Sequence, residues 1–296
     1  MKQILVTGGT GMVGKHLQQI LPDAVYIGSK ECDLRDWVQV KNLFERYTPT
    51  RVIHLAARVG GIQDNMARPA EFFDDNILIN THILKICNTH DVKRFTAILS
   101  TCIYPDTVEK YPMKEEDMFL GPPTETNGAY GYAKRCLAVQ IKAYNKQYGT
   151  KYNYLIPCNL YSEFDNFDIE TKMHLITALL KKIKDSDGIL NLLGTGQPLR
   201  QFMYSGDLAR VIKEVIDKDI TENFNVAPNI NYSVDKIVKI ALEALNKKYK
   251  IVYSKPEMDG QYRKDVSSEK LKKLLPNFEF TTLPQGIKRT YDTISK

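Results

Sequence analysis

The chain has 296 residues, of which 43% are hydrophobic and 26% charged, with a formal net charge of +6. That length can bury a sizeable core in one large domain or two unequal ones, and no apolar run approaches the ~20 residues that a membrane span needs. The positive charge does not read as a nucleic-acid footprint, because the lysines fall in scattered pairs (Lys181-Lys182, Lys247-Lys248, Lys272-Lys273) without interleaved stacking aromatics.

Gln3 to Thr7 reads as a buried strand running straight into Gly8-Gly9-Thr10-Gly11-Met12-Val13-Gly14, with a helix from about Met12. The start is too short in apolar residues for a leader peptide, so a cytoplasmic protein is expected. The loop satisfies Gly-x-Gly-x-x-Gly from Gly9 and Gly-x-x-Gly-x-x-Gly from Gly8. Glycines let the backbone approach a pyrophosphate closely, while the helix N-terminus offers free N–H groups and positive potential. Gly8, Thr10, Gly11, Met12, Val13 and Gly14 are therefore expected to hold a dinucleotide.

The second strand, Ala24 to Ile27, ends in Gly28-Ser29-Lys30. An acidic residue there would bind the ribose 2'-hydroxyl of NAD, whereas small polar groups followed by Lys30 suit a 2'-phosphate, so NADPH is expected. Asp33 and Leu34 lie where the adenine edge could be contacted. A helix from Asp36 and a strand from Arg51 to Leu55 follow, and Leu55-Ala56-Ala57 supplies small residues where backbone passes the cofactor. Next come a long helix through Asn76 to Asn80, the strand Arg94 to Leu99, a helix carrying Tyr130-Gly131-Tyr132-Ala133-Lys134, and the strand Tyr152 to Ile156. Strict alternation of this kind implies an α/β fold with a doubly wound parallel Rossmann sheet and ligands at the carboxyl ends of its strands.

Beyond Leu160 the rhythm breaks. Tyr161 to Glu170 is polar and irregular, a helix is expected over Thr171 to Lys184, and Ile189 to Leu193 reads as a strand before Gly194-Thr195-Gly196. A helix from Asp207 to Asp217 and a strand from Asn223 to Val226 return to the first unit. The expected division is 1–160 plus 201–226 for the cofactor domain and 161–200 plus 227–296 for a smaller, discontinuous substrate domain. Cys32, Cys87, Cys102, Cys136 and Cys158 form an odd set without a Cys-x-x-Cys pair, which argues for reduced thiols and against a disulfide framework or a metal site.

Tyr130 and Lys134 stand one helical turn apart. A free phenol titrates near pH ~10, so it donates a proton at neutrality only with help for the phenolate left behind, and a lysine at i+4 is placed to give it.

These residues, together with His54-Leu55-Ala56-Ala57-Arg58-Val59-Gly60-Gly61-Ile62, Ser100-Thr101-Cys102-Ile103-Tyr104-Pro105, Asn159-Leu160-Tyr161, Asp165-Asn166-Phe167, His174 with Lys182, Gly194-Thr195-Gly196 with Pro198 and Arg200-Gln201-Phe202, and Asp259-Gly260-Gln261, resemble the extended short-chain dehydrogenase/reductase superfamily. Within it the chain is similar to the GDP-L-fucose synthase family, the 3,5-epimerase/4-reductases of GDP-4-keto-6-deoxy-mannose. The likeness covers nearly the whole chain. It implies two stages: a C4 ketone acidifies its neighbours for proton exchange between Cys102 as base and His174 as acid, and NADPH then reduces C4. In the second stage Tyr130 would protonate the C4 oxygen, Ser100 would hydrogen-bond it, and Lys134 would hold the nicotinamide ribose. Leu99, Pro157, Asn159, Leu160 and His174 would line the cofactor, Lys182 and Arg200 the diphosphate, Asn159 the sugar, and Leu193 and Asp259 the nucleoside. The resemblance also implies a homodimer packed through the Asn76 and Tyr130 helices.

The chain departs from the family at Ser162-Glu163-Phe164, where Gly-Pro is usual, at Thr177, where proline is common, and at Leu193, where tryptophan is frequent. Two other readings stay open: a C4-reductase without epimerase activity on another GDP-4-keto sugar such as a heptose, and a non-catalytic NADP-binding sensor. The sensor predicts erosion of Ser100, Tyr130 or Lys134, and all three are present.

Overall fold

The structure is a computed structural model describing residues 3–167, 173–256, 259 and 261–295. Apolar three- to six-residue strands alternate with helices from the start: β1 (Ile4–Thr7), α1 (Met12–Ile20), β2 (Val25–Ile27), α2 (Trp37–Tyr47), β3 (Arg51–His54), α3 (Ile62–Ala67), α4 (Pro69–Thr89), β4 (Arg94–Ile98), α5 (Gly128–Tyr148) and β5 (Tyr152–Pro157). There follow β6 (Asn159–Tyr161), α6 (Leu175–Asp185), β7 (Ile189–Leu193), β8 (Leu199–Arg200), β9 (Phe202–Tyr204), α7 (Ser205–Asp217), β10 (Phe224–Val226), β11 (Tyr232–Ser233), α8 (Val234–Ala244), β12 (Lys250–Ser254), β13 (Arg263–Lys264), α9 (Glu269–Leu274) and α10 (Leu283–Ile294).

Six strands form one parallel sheet in the order β10-β5-β4-β3-β1-β2, so the winding reverses between β1 and β3. Helices cover both faces, which is why Leu5, Val6, Val52, Ile53, Phe95 and Ala97 are all fully buried rather than alternating with polar residues. Local signals set the helix ends. Asp36 accepts from the Val38 and Gln39 amides at the start of α2, and Gly149 takes a left-handed conformation (φ +66°) to close α5. The doubly wound sheet agrees with the alternation in the sequence, and α3 and β6 are short additions.

A second apolar cluster joins Tyr161, Leu180, Leu190, Phe202, Ile237, Leu242 and Ile287. Its framework is three small sheets: β6 beside β9, β7 beside β12, and β11-β8-β13. Val266, Leu271, Leu275, Phe278 and Phe280 instead pack against the first cluster, because α9 lies beside β10 at the sheet edge. Helix α6 begins at Leu175 rather than at Thr171, which lies outside the described residues, as does Gly260. No described helix is long and apolar enough to cross a membrane.

Candidate active site

One cavity of about 970 Å³ runs from the glycine loop, over the carboxyl ends of β1, β3 and β4, to β8. That is where an open parallel sheet presents ligand sites, at the reversal of strand order.

At its inner end the glycines are required by close approach. A Cβ on Gly8, which has φ +70°, would sit 2.6 Å from the Ala56 amide nitrogen, so loop and β3 end can touch only without one. Gly11 caps α1 without a side-chain hydrogen bond, leaving the first amides of the helix for a ligand. Gly8, Thr10, Gly11, Met12, Val13 and Gly14 line the cavity. So do Asp33 and Leu34, then Leu55, Ala56 and Ala57, and further along Leu99, Pro157, Asn159 and Leu160. These residues fit a dinucleotide.

Lys30, expected at a 2'-phosphate, does not line the cavity; Ser29 and Arg35 do. The turn after β2 is fixed by Glu31, whose carboxylate accepts from the Gly28 amide (2.8 Å). Arg35 is drawn to the wall by Asp33 (2.8 Å) and Asp75 (3.1 Å), which hold its guanidinium charged. Its side chain is held by Asp33, two residues before it, and by Asp75, forty residues away.

The centre is assembled by α5 against the turn at Ser100–Ile103. Gly131 makes this possible: a Cβ there would lie 2.5 Å from the Cys102 carbonyl oxygen. Tyr130, Lys134, Ser100 and Cys102 thereby reach one stretch of cavity wall. Burial and the charge of Cys102 push the Tyr130 phenol well above its ordinary value against the opposing pull of Ser100, so it carries its proton. The Lys134 ammonium donates to the Ile98 carbonyl (2.9 Å), lies 6.0 Å from the Tyr130 ring centroid, and is brought down to about 8 by burial.

Cys102 is surrounded by donors. Burial pushes its thiol up, but the Lys264 ammonium at 3.4 Å, the Ser100 hydroxyl and the Asn127 amide at 3.1 Å outweigh that and hold it below the ordinary value. Lys264 arrives from β13 through its pairing with Arg200 of β8. His174 caps α6 and opens onto the same cavity, with Nδ1 3.0 Å from the Asp165 carboxylate. Burial opposes its charge, yet the Asp165 hydrogen bond and charge prevail and raise it.

At the outer end, Leu193, Arg200 and Asp259 line the cavity. Arg200 donates to the backbone carbonyls of Leu199 (2.9 Å), Asp259 (3.4 Å) and Tyr262 (3.5 Å) and makes no ion pair among the described residues. Burial disfavours its charge and the nearby Asp259 carboxylate offsets this only in part, so a desolvated guanidinium with no direct ion pair among the described residues is suited to an anion. Asp259 spends its carboxylate on the Gly194–Gly196 turn, accepting from the Thr195 amide (2.7 Å) and hydroxyl (2.6 Å). Lys182 does not reach the cavity; from the last turn of α6 it donates to the Asn191 carbonyl (3.1 Å). The altered segment is pinned from outside, where Glu163 accepts from the Tyr204 hydroxyl (2.8 Å) and Phe164 packs on His16.

Comparison with known proteins follows this geometry. Residues 4–227 match the model of the NAD dependent epimerase/dehydratase family. The chain is 38% identical to GDP-L-fucose synthase of Dictyostelium discoideum, over 98% of this chain and 94% of that protein. A GDP-L-fucose synthetase from Naegleria fowleri, solved bound to NADP, superimposes with a TM-score of 0.89 at 35% identity, covering 99% of this chain and 92% of that one. A GDP-mannoheptose C4 reductase from Campylobacter jejuni shares the fold, with a TM-score of 0.87 at 24% identity over 100% of this chain and 98% of that one.

Proposed function

The chain belongs to the NAD dependent epimerase/dehydratase family, in the branch that holds the GDP-L-fucose synthases, and on that premise we propose that it epimerises a GDP-4-keto sugar at C3 and C5 and reduces C4 with NADPH, giving GDP-L-fucose or a close relative. The observation that carries this reading is the opposed tuning of two groups that line one cavity, where a sugar ring could lie between them. Ordinary values near ~8.5 for a thiol and ~6.5 for an imidazole would leave both groups mostly neutral at pH 7. Here Lys264 and Asn127 favour the Cys102 thiolate, and Asp165 favours the His174 imidazolium. A base ready to take a proton and an acid ready to return one are what inversion beside a ketone demands.

When bound, NADPH supplies the two electrons and the hydrogen for C4. The glycine loop and the Ala56-Ala57 stretch would hold its pyrophosphate side, with Arg35 and Ser29 near the 2'-phosphate and Lys134 near the nicotinamide ribose. Tyr130, protonated and beside Ser100 on the cavity lining, gives its proton to the C4 oxygen. In the exchange stage the same two hydroxyls steady the enolate oxygen, so one oxyanion site serves both reactions. Arg200 binds the diphosphate, Leu193 packs on the nucleoside, Asn159 faces the sugar, and Asp259 acts by shaping the Gly194–Gly196 turn. Lys182 would reach the diphosphate only by releasing Asn191. The unit is a cytoplasmic homodimer, joined through α4 and α5, on which Phe73, Leu78, Tyr132 and Val139 are exposed.

Retention of both Cys102 and His174 favours epimerase activity over the C4-reductase reading on a heptose. The test is a substrate panel. NADPH oxidation with GDP-4-keto-6-deoxy-mannose well above that with GDP-4-keto heptoses supports the proposal, and oxidation confined to the heptoses refutes it.

A further inference from the structure

Asp165 is nearly buried, its side chain only 6% exposed, in the segment where the chain departs from its relatives. Its carboxylate accepts from His174 Nδ1 at 3.0 Å through one oxygen, with 3.2 Å to the other. Two further donors hold it: the Asn166 amide (2.9 Å) and the hydroxyl of Thr177, a fully buried residue one turn into α6. The Asp165 amide donates in turn to the Ser162 carbonyl (3.1 Å), and the Phe164 amide to the Ser162 hydroxyl (3.2 Å). Glu163 and Phe164 anchor the turn to Tyr204 and His16. Of the positions that depart from the family pattern, Thr177 thus bonds the carboxylate directly, while the Ser162-Glu163-Phe164 segment holds the turn that carries it.

Resting on the reading of His174 as the acid of the exchange stage, we propose that Asp165, fixed by Thr177, is the positioning residue that keeps a proton on His174 Nδ1 and directs Nε2 into the cavity. The physical case is one of satisfaction. A buried carboxylate needs donors; with Thr177 and Asn166 occupying part of it, the remaining lone pairs face Nδ1 and select a ring orientation. A proline at 177 would supply no hydroxyl, so the other donors would have to hold Asp165 unaided. Thr177 lets a turn lacking the usual Gly-Pro backbone hold the same histidine. Among the groups around it, the Asp165 carboxylate is what raises the imidazole above its ordinary value.

Two measurements test this. In protein carrying nitrogen-15 in its five histidines, long-range proton–nitrogen spectra near neutral pH report which ring nitrogens are protonated, with the His174 signals assigned by loss in His174→Gln. The expected result is a protonated Nδ1 in the wild type and a switch to the neutral Nε2–H form in Asp165→Asn; a wild-type His174 in the neutral Nε2–H form overturns the inference. This readout needs no turnover, so it stands apart from whether the sugar is a substrate. On the enzyme, Asp165→Asn should slow solvent-deuterium exchange into the keto sugar about 100-fold with KM unchanged, and spare reduction of an already epimerised ketone. Thr177→Val should slow exchange roughly tenfold, and Thr177→Ser should restore it. Equal loss of exchange and reduction in these variants, with unchanged thermal stability, contradicts a positioning role, as does full activity in both.

Discussion

Replacing Lys264 with methionine should remove the charge that makes Cys102 reactive. The ammonium stands 3.4 Å from the sulfur. Two unit charges at that separation attract by about 1 kcal/mol in bulk water and by about 5 kcal/mol at an effective permittivity of ~20. With about 1.4 kcal/mol per pKa unit, the thiol should titrate roughly one to four units higher in Lys264→Met. The direction is reinforced by burial, which already pushes the thiol up and would then be opposed only by Ser100 and Asn127. The assay is alkylation by iodoacetamide as a function of pH, followed on the Cys102 peptide by mass spectrometry, with Cys136 as internal control. At pH ~7.5 the Cys102 rate should fall about tenfold or more and its midpoint move to higher pH, while Cys136 is unchanged. A Cys102 profile that superimposes on the wild type would refute the claim that Lys264 sets the thiolate.

Three further outcomes follow from the same geometry. Tyr130→Phe removes the only proton that the phenol can give, so NADPH oxidation should drop about 10²- to 10⁴-fold with an unchanged circular dichroism spectrum; near-normal turnover would rule out its role. Arg200→Ala should raise KM for the GDP-sugar about 10- to 100-fold, as expected for loss of hydrogen bonds to a charged group, without altering the Kd for NADPH; an unchanged KM would count against diphosphate binding. Lys134, at about 8 in the fold against an ordinary value of 10.5, binds fewer protons than in the unfolded chain between those values. Stability of the cofactor-free protein should therefore rise with pH, by about 2 kcal/mol between pH ~7.5 and ~9.5, and Lys134→Met should abolish that rise in urea titrations.

Much of this arrangement is legible in the chain because it is local. The glycine loop follows its strand directly, Tyr130 and Lys134 share a helix turn, and the alternation of strands and helices gives the parallel sheet. What escapes sequence reading comes from side chains brought together across the fold. Lys264 reaches Cys102 over a separation of 162 residues, through a two-residue strand with no periodicity of its own. Asn127 is hidden in a short helical turn before α5, and Arg35 takes the wall that Lys30 was expected to occupy because Asp33 and Asp75 hold it there. Asp165 is part of a recognisable motif, but its hold on His174 depends on Thr177, whose hydroxyl becomes meaningful only once α6 is docked. Lys182 fails as a cavity residue for a plain reason: its stem runs along α6 to the β7 carbonyl of Asn191.

The central claim is that one cavity both inverts and reduces the sugar. It is tested most directly by turnover of GDP-4-keto-6-deoxy-mannose with NADPH in heavy water, followed by nuclear magnetic resonance of the product. The account predicts a 4-reduced sugar of inverted configuration at C3 and C5 with deuterium at both carbons. A reduced product that keeps its original configuration and carries no deuterium at either carbon would contradict it.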